Sequence, residues 1–145
     1  MIAMSACLAG IPCRYDGKEK GCAACRERIL QGDVVLVCPE VMGGLPIPRP
    51  PAELPGGDAE AVWEGRSRIV NREERDVTEE YLSGAKKILA LCREHNIREV
   101  WLKAKSPACG CGAVYDGSFQ GRLTRGDGIL AALLKKENIT IVTIE

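Results

Sequence analysis

Four short, almost uninterrupted apolar runs constrain what this chain can fold into: residues 2–6 (IAMSA), 33–38 (DVVLVC), 99–104 (EVWLKA) and 139–144 (ITIVTI). They are mostly bounded by turn residues. Such runs read as strands of a parallel sheet covered on both faces. Helical patterns lie between them. Residues 18–31 (KEKGCAACRERILQ) stop at Gly32, a residue suited to a helix C-terminus. Residues 78–95 open on Thr78 as an N-cap and set Leu82, Ala85, Ile88, Leu89 and Cys92 on one face. Residues 127–137 start at Asp127 as a cap. The order β-α-β-insert-α-β-α-β predicts an α/β fold. It is a compact Rossmann-like sandwich with a short, mostly parallel sheet of about four strands, flanking helices and right-handed crossovers.

The insert, residues 39–77, differs in composition. Its first part, PEVMGGLPIPRPPAELPGGD, holds most of the prolines and reads as a stiff loop without regular structure. The following AVWEGRSRIVNREERDVT alternates around turn-like EG and NREE and predicts a small hairpin. A long insert of this kind in a compact chain is usually a lid or a binding wall. At 145 residues the chain is expected to form one domain, 1–145, large enough to bury a real core.

Twenty basic residues balance twenty acidic ones, so no net field attracts nucleic acid or an anionic membrane. No apolar run approaches the length of a membrane span. The N-terminal MIAMSACLAG lacks the positive segment of a signal peptide and reads as the first strand, which points to the cytoplasm. The oligomeric state is not legible in the sequence.

Against this background eight cysteines are unusual. In a reducing compartment they point to a metal, a cluster or redox chemistry. One histidine, His95, makes histidine-based catalysis and His-rich zinc sites poor readings. Placed on the outline, Cys7 falls just past the first strand, Cys38 ends the second, and Cys109 lies a few residues past the third. Ligands of open α/β sheets bind outside the carboxyl ends of the strands, so these cysteines converge on one edge. Three thiolates suit a zinc ion or three irons of a [4Fe-4S] cluster, and both leave a metal position open.

The remaining cysteines read differently. Cys92 is a packing residue on an apolar helix face. Cys13 is a fourth ligand, a spare thiol or packing. Cys111, two residues from Cys109, could supplement or replace it. The CAAC stretch, residues 22–25, lies inside a helical pattern rather than after a strand. It reads as a helix face or an adventitious metal pair before a redox motif.

The blocks SACLAGIPCRYDG, VCPEVMGGLPIPRPPAE, DVTEEYLSGA, SPACGCGAVYDG and GDGILAALL resemble, in order and over essentially the whole chain, those of the thiouracil desulfidase (TudS)-like family. The most specific parts are SAC, CPE and SPxCG. The resemblance implies a [4Fe-4S] cluster held by Cys7, Cys38 and Cys109, the same three residues that the topology brings together. It further implies that the unique iron takes the sulfur of a small thiolated pyrimidine such as 2-thiouracil. The reaction is non-redox: water supplies the replacement oxygen and sulfide leaves. Cys13, Cys22, Cys25 and Cys111 lie outside this pattern, although Cys13 and Cys111 are close enough in sequence to fill the open position.

A water that attacks a metal-activated thiocarbonyl needs a base. Glu40, two residues after Cys38, is placed for it; the competing reading is a capping or salt-bridged loop carboxylate. Ser106 could hydrogen-bond the substrate or orient the water, or cap a turn before Pro107. Arg49 reads as structural, paired with Glu53, ahead of lining the pocket. Asp16 and Asp116, each in a YDG stretch, are turn residues. The competing functions are a zinc-dependent hydrolase, a non-enzymatic metal- or persulfide-binding module, and a thiol redox protein using CAAC. The first lacks the His/Cys-x-Glu arrangement of zinc deaminases.

Overall fold

The structure is a computed structural model that describes residues 1–17 and 22–145. In chain order the elements are β1 (Ile2–Ser5), a 3₁₀ turn at Ala6–Ala9, α1 (Ala23–Leu30), β2 (Val34–Val37), α2 (Pro39–Met42), β3 (Ala52–Glu53) and a 3₁₀ turn at Pro55–Gly57. There follow α3 (Ala59–Trp63), β4 (Val70–Asn71), α4 (Thr78–Glu94), β5 (Glu99–Lys103), β6 (Ala113–Tyr115), β7 (Leu123–Arg125), α5 (Ile129–Lys136) and β8 (Thr140–Ile144).

The expected α/β architecture is present. β2, β1, β5 and β8 form, in that order, an entirely parallel sheet. Its two faces carry different cores, as the alternation of side chains along a strand dictates. Ile2 and Met4 of β1 pack with Leu8 and Cys25 beneath α1, whereas Ala3, Val100 and Leu102 join the larger core under α4 and α5. Ile129, Leu130 and Leu134 of α5 are completely buried there, each worth about 1.5–3 kcal/mol of transfer free energy. β1 is buried along its whole length, while the edge strands β2 and β8 are only half covered. Cys92 is buried on α4, as the helix pattern indicates. Among the described residues no helix is long and apolar enough to cross a membrane.

Several local expectations change. Of the helix expected over 18–31, residues 18–21 lie outside the described residues, and the rest is α1, which begins after Cys22. Gly32 follows it with φ 88° and donates its N–H to Ile29 O, which is the left-handed ending expected of it. Thr78 is the first residue of α4 rather than its cap. Asp76 accepts the Thr78 N–H instead, and the Thr78 hydroxyl accepts from Ile69 N while donating to Asp76.

Asp127 does not cap α5. Its carboxylate accepts the Gly112 N–H and pairs with Lys135. The first N–H groups of α5 are taken by carbonyls of the preceding SPACG loop: Gly128 by Gly110, Ile129 by Pro107 and Leu130 by Ala108. A pattern of side chains cannot reveal a cap made of backbone carbonyls.

The proline-rich stretch is not free of regular structure. It contains α2, whose first residue is Pro39, and β3, and the expected hairpin is rearranged. Residues 59–63 form α3, and β4 pairs antiparallel with β3 across the insert rather than with a neighbouring strand. Two-residue strands carry too little periodicity to be read. The same holds for the β6–β7 hairpin, which the sequence pattern does not disclose.

Candidate active site

The strand order supplies the crevice. From β2 the chain returns across β1 to β5, so β1 and β5 diverge in connection, and ligands settle at the carboxyl ends on either side of such a point. Cys7 leaves β1 in the turn at Ala6–Ala9, which Gly10 closes with φ 90°. Cys38 follows β2 as the residue before α2. Cys109 follows β5 in the SPACG loop that α5 ties down. All three line one cavity of about 490 Å³, and so do Cys13, Glu40 and Ser106. Cys22, Cys25, Cys92 and Cys111 do not line it. The structure therefore brings every expected site residue together and adds Cys13.

Three of the thiols, those of Cys7, Cys13 and Cys38, stand close together. The Cys38 Sγ lies 4.0 Å from the Cys13 carbonyl oxygen, and the Cys13 thiol interacts with those of Cys38 and Cys7. The Ser5 hydroxyl donates to the Cys109 Sγ at 3.7 Å. The Ser106 hydroxyl oxygen accepts the Cys109 N–H at 2.7 Å, so Ser106 forms the turn that presents Cys109, and it also faces the cavity.

This packing keeps the thiols of Cys13, Cys38 and Cys109 protonated. The Cys38 thiol is pushed far up by its contact with Cys13 and by burial. Burial raises Cys109 to about 12, helped by the charge of Glu40, against hydrogen bonds from Ser5 and Ser106 that lower it. For Cys13 the contact with Cys38 lowers the value, but the contact with Cys7 and burial outweigh it and bring it to about 11. Crowded, neutral thiols are unstable as free thiolates and are the soft donors that a thiophilic metal centre would deprotonate. The donor set and the space beside it fit an iron–sulfur cluster.

The carboxylate is held just as firmly. Pro39 stops the pairing of β2 and starts α2, which places Glu40 in its first turn. Arg49 donates to Glu40 Oε2 through Nε at 3.2 Å and Nη2 at 2.9 Å, and the Tyr81 hydroxyl donates to the same oxygen at 3.2 Å. Among the described residues Oε1 has no hydrogen-bond partner. Arg49 also donates to the carbonyls of Pro46 and Cys13, tying the insert to the cysteine turn. Burial and the Glu40 charge raise the Tyr81 phenol well above its ordinary value, so it stays a hydrogen-bond donor.

α2 is seated on α4 by two glycines. A Cβ on Gly84 would stand 1.8 Å from Pro39 O, and one on Gly43 would stand 1.9 Å from Glu80 O. Only bare backbone allows this approach.

Arg49 is thus paired with Glu40 and not with Glu53, contrary to the expected pair. Glu53 instead accepts the N–H groups of Gly117 and Phe119 and anchors the β6–β7 loop beside the cavity. Asp116 makes the expected turn, accepting from Ser118 N. Sequence reasoning missed Tyr81 and Ser5. Tyr81 sits on the buried face of α4 among aliphatic neighbours, where an aromatic reads as core. Ser5 ends a fully buried strand, and a hydroxyl at such a position was the available signal.

Fold and site define a parallel α/β protein that gathers soft thiols and a half-buried, clamped carboxylate at the switch point of its sheet. The family described as 2-thiouracil desulfurase matches residues 2–145, and the chain belongs to that family. The Bacillus subtilis (strain 168) protein YbbK is 43% identical over 143 residues, which cover 99% of this chain and 95% of that one. A solved structure described as the [4Fe-4S]-dependent thiouracil desulfidase TudS is 40% identical and superposes with a TM-score of 0.86. The match covers 98% of this chain and 89% of that one.

Proposed function

We propose that this chain is an iron–sulfur-dependent desulfidase that removes sulfur from a thiolated nucleobase such as 2-thiouracil without net redox change. A thiocarbonyl and water become a carbonyl and hydrogen sulfide, so no electron acceptor is needed. The observation that carries this reading is the convergence of Cys7, Cys38 and Cys109 with Glu40 on one cavity. The family and the 40% identical desulfidase support the same chemistry.

Cys7, Cys38 and Cys109 would hold a [4Fe-4S] cluster, which supplies a soft Lewis acid for the substrate sulfur. Glu40 takes a proton through Oε1 from the water that attacks the ring carbon, while Arg49 and Tyr81 fix Oε2. Ser106 accepts from Cys109 N and keeps its own proton to donate to the ring. Cys13 acts as a neighbouring thiol rather than a ligand. The partner is a small molecule, with neither nucleic acid nor membrane in the reaction. One domain spans 1–145, working in a reducing cytoplasm where its thiols stay free.

Purification without oxygen tests this. Brown protein with about four irons per chain, releasing sulfide from 2-thiouracil, is expected. Colourless protein with a single zinc would overturn it in favour of a zinc-dependent hydrolase. An iron-loaded protein that leaves every thiolated pyrimidine intact would leave only a metal- or persulfide-binding module.

A further inference from the structure

The helical reading buries the CAAC stretch inside a helix, but the structure sets it at a helix start. Cys22 is extended (φ −128°, ψ 126°) and is the N-cap of α1, while Cys25 sits in the first turn. The Cys22 N–H donates to Leu8 O at 2.9 Å, and the Cys22 Sγ accepts the Cys25 N–H at 3.3 Å. Cys25 is fully buried against Ile2, Met4 and Leu8, whereas Cys22 is only half-buried. The Cys25 thiol also donates a hydrogen bond to the Cys22 sulfur. Positions three apart in a first helical turn have Cα atoms roughly 5–6 Å apart, within the range that a disulfide spans.

The pair is chemically unequal. Burial pushes Cys22 up, but the Cys25 thiol, the N–H groups of Cys25 and Ala24 and the charge of Lys103 together bring it down. Cys25 is pushed up to about 12 by burial and then by Cys22. A reachable, activated thiol above a buried, protonated one is the division of labour of an attacking and a resolving cysteine. Neither lines the cavity that holds Cys7, Cys38 and Cys109, and α1 covers the sheet face opposite α4 and α5.

We propose that Cys22 and Cys25 form a second, separate thiol site: a dithiol that exchanges with disulfides. The Cys22 thiolate attacks one sulfur of a disulfide, whose other half leaves as a thiolate. Cys25 gives its proton to solvent and attacks the Cys22 sulfur of the mixed disulfide. The Cys22–Cys25 bond forms and the second half leaves as a thiolate. The dithiol loses two electrons and the disulfide gains them, so no further reactant is required. This chemistry is independent of sulfur removal from the substrate.

The test is anaerobic incubation of the cluster-loaded protein with mixtures of reduced and oxidised glutathione, followed by alkylation and peptide mapping. One internal disulfide between Cys22 and Cys25 is expected, reversible with the glutathione ratio and without a lasting glutathione adduct. Before oxidation, iodoacetamide should label Cys22 about tenfold faster than Cys111, which is also half-buried. Cys25→Ala should trap glutathione on Cys22. Cys22→Ser should take up none at Cys25 and should release sulfide from 2-thiouracil at the wild-type rate. A dithiol that stays reduced in fully oxidised glutathione overturns the proposal, as does a stable adduct on Cys22 in the wild-type chain.

Discussion

The Arg49 guanidinium lies 2.9 Å from Glu40 Oε2, with the two side chains only 4% and 15% exposed. A charge pair so far from water persists because its other hydrogen-bonding needs are met. Arg49 serves two carbonyls besides the carboxylate, and Tyr81 completes the shell of Oε2. The outcome is a carboxylate with one oxygen clamped and the other free of described partners, beside the cluster of thiols. That asymmetry is what a positioned proton acceptor requires.

Breaking this pair from the arginine side should be costly. Arg49→Met leaves the half-buried Glu40 opposite a thioether, so the loss should approach about 3–5 kcal/mol, the cost of breaking a fully buried pair. Urea denaturation of the variant should show a loss of that size, together with a fall in sulfide release. Arg49→Lys should lose less stability, but an ammonium cannot reproduce the paired Nε and Nη2 bonds. A midpoint unchanged in Arg49→Met would mean the pair does not hold the insert in place.

The carboxylate itself is tested by Glu40→Gln, which preserves shape and removes the base. Iron content should stay at the wild-type level while turnover falls by about 100-fold or more. Tyr81→Phe removes one of three donors to Oε2, so it should reduce turnover less and stability by about 1 kcal/mol. Wild-type turnover in Glu40→Gln would remove Glu40 from the chemistry.

How far the sequence reached depended on the length scale of each signal. The four parallel strands, α4 and the convergence of Cys7, Cys38 and Cys109 rest on apolar runs and on the rule for strand ends. Both signals are strong in a short chain. The partner of Arg49 was not legible, because Glu53 is nearer in sequence and only the fold shows that α2 turns Glu40 toward it. The cap of α5 was hidden for another reason: Asp127 is the right residue type, but carbonyls of the SPACG loop already occupy the helix end. The position of Cys22 turned on where α1 begins, and helix boundaries are the least legible part of any periodic pattern.

Gly84 tests the seating of α2. A methyl group at 1.8 Å from Pro39 O cannot be accommodated without moving α2 away from α4. Gly84→Ala should raise helix propensity and yet destabilise the protein by about 1–3 kcal/mol, the cost of overpacking. Because α2 carries Glu40, activity should fall beyond what the stability loss explains. A variant as stable and active as the wild type would show that this close approach does not position the carboxylate.

Cys13 separates a three-ligand centre from a four-ligand one. Its thiol stands among those of Cys7 and Cys38, so geometry alone admits it to either role. Cys13→Ser should retain both iron and sulfide release, whereas Cys7→Ser, Cys38→Ser and Cys109→Ser should each lose both. Loss of the iron in Cys13→Ser would close the open position and sink the proposed substrate site.

The buried thiols give the protein an alkaline weakness that depends on whether a metal centre is bound. Cys109 and Cys13 titrate at about 12 and about 11 in the folded chain, against an ordinary thiol value of 9.0. Below 9.0 both folded and unfolded chains hold these protons, and the stabilisation is fully present. Between 9.0 and about 11–12 the unfolded chain releases protons that the folded one keeps, so stability falls as pH rises, on the order of a few kcal/mol in total. A metal centre that binds the Cys109 sulfur as a thiolate has already displaced that proton, while Cys13 keeps its own, and uptake of the centre should acidify an unbuffered solution. Urea midpoints of the cluster-free protein should therefore fall steeply from pH 8 to pH 11, and those of the cluster-loaded protein should fall less. Equal slopes for the two forms would mean that the cluster does not bind through Cys109.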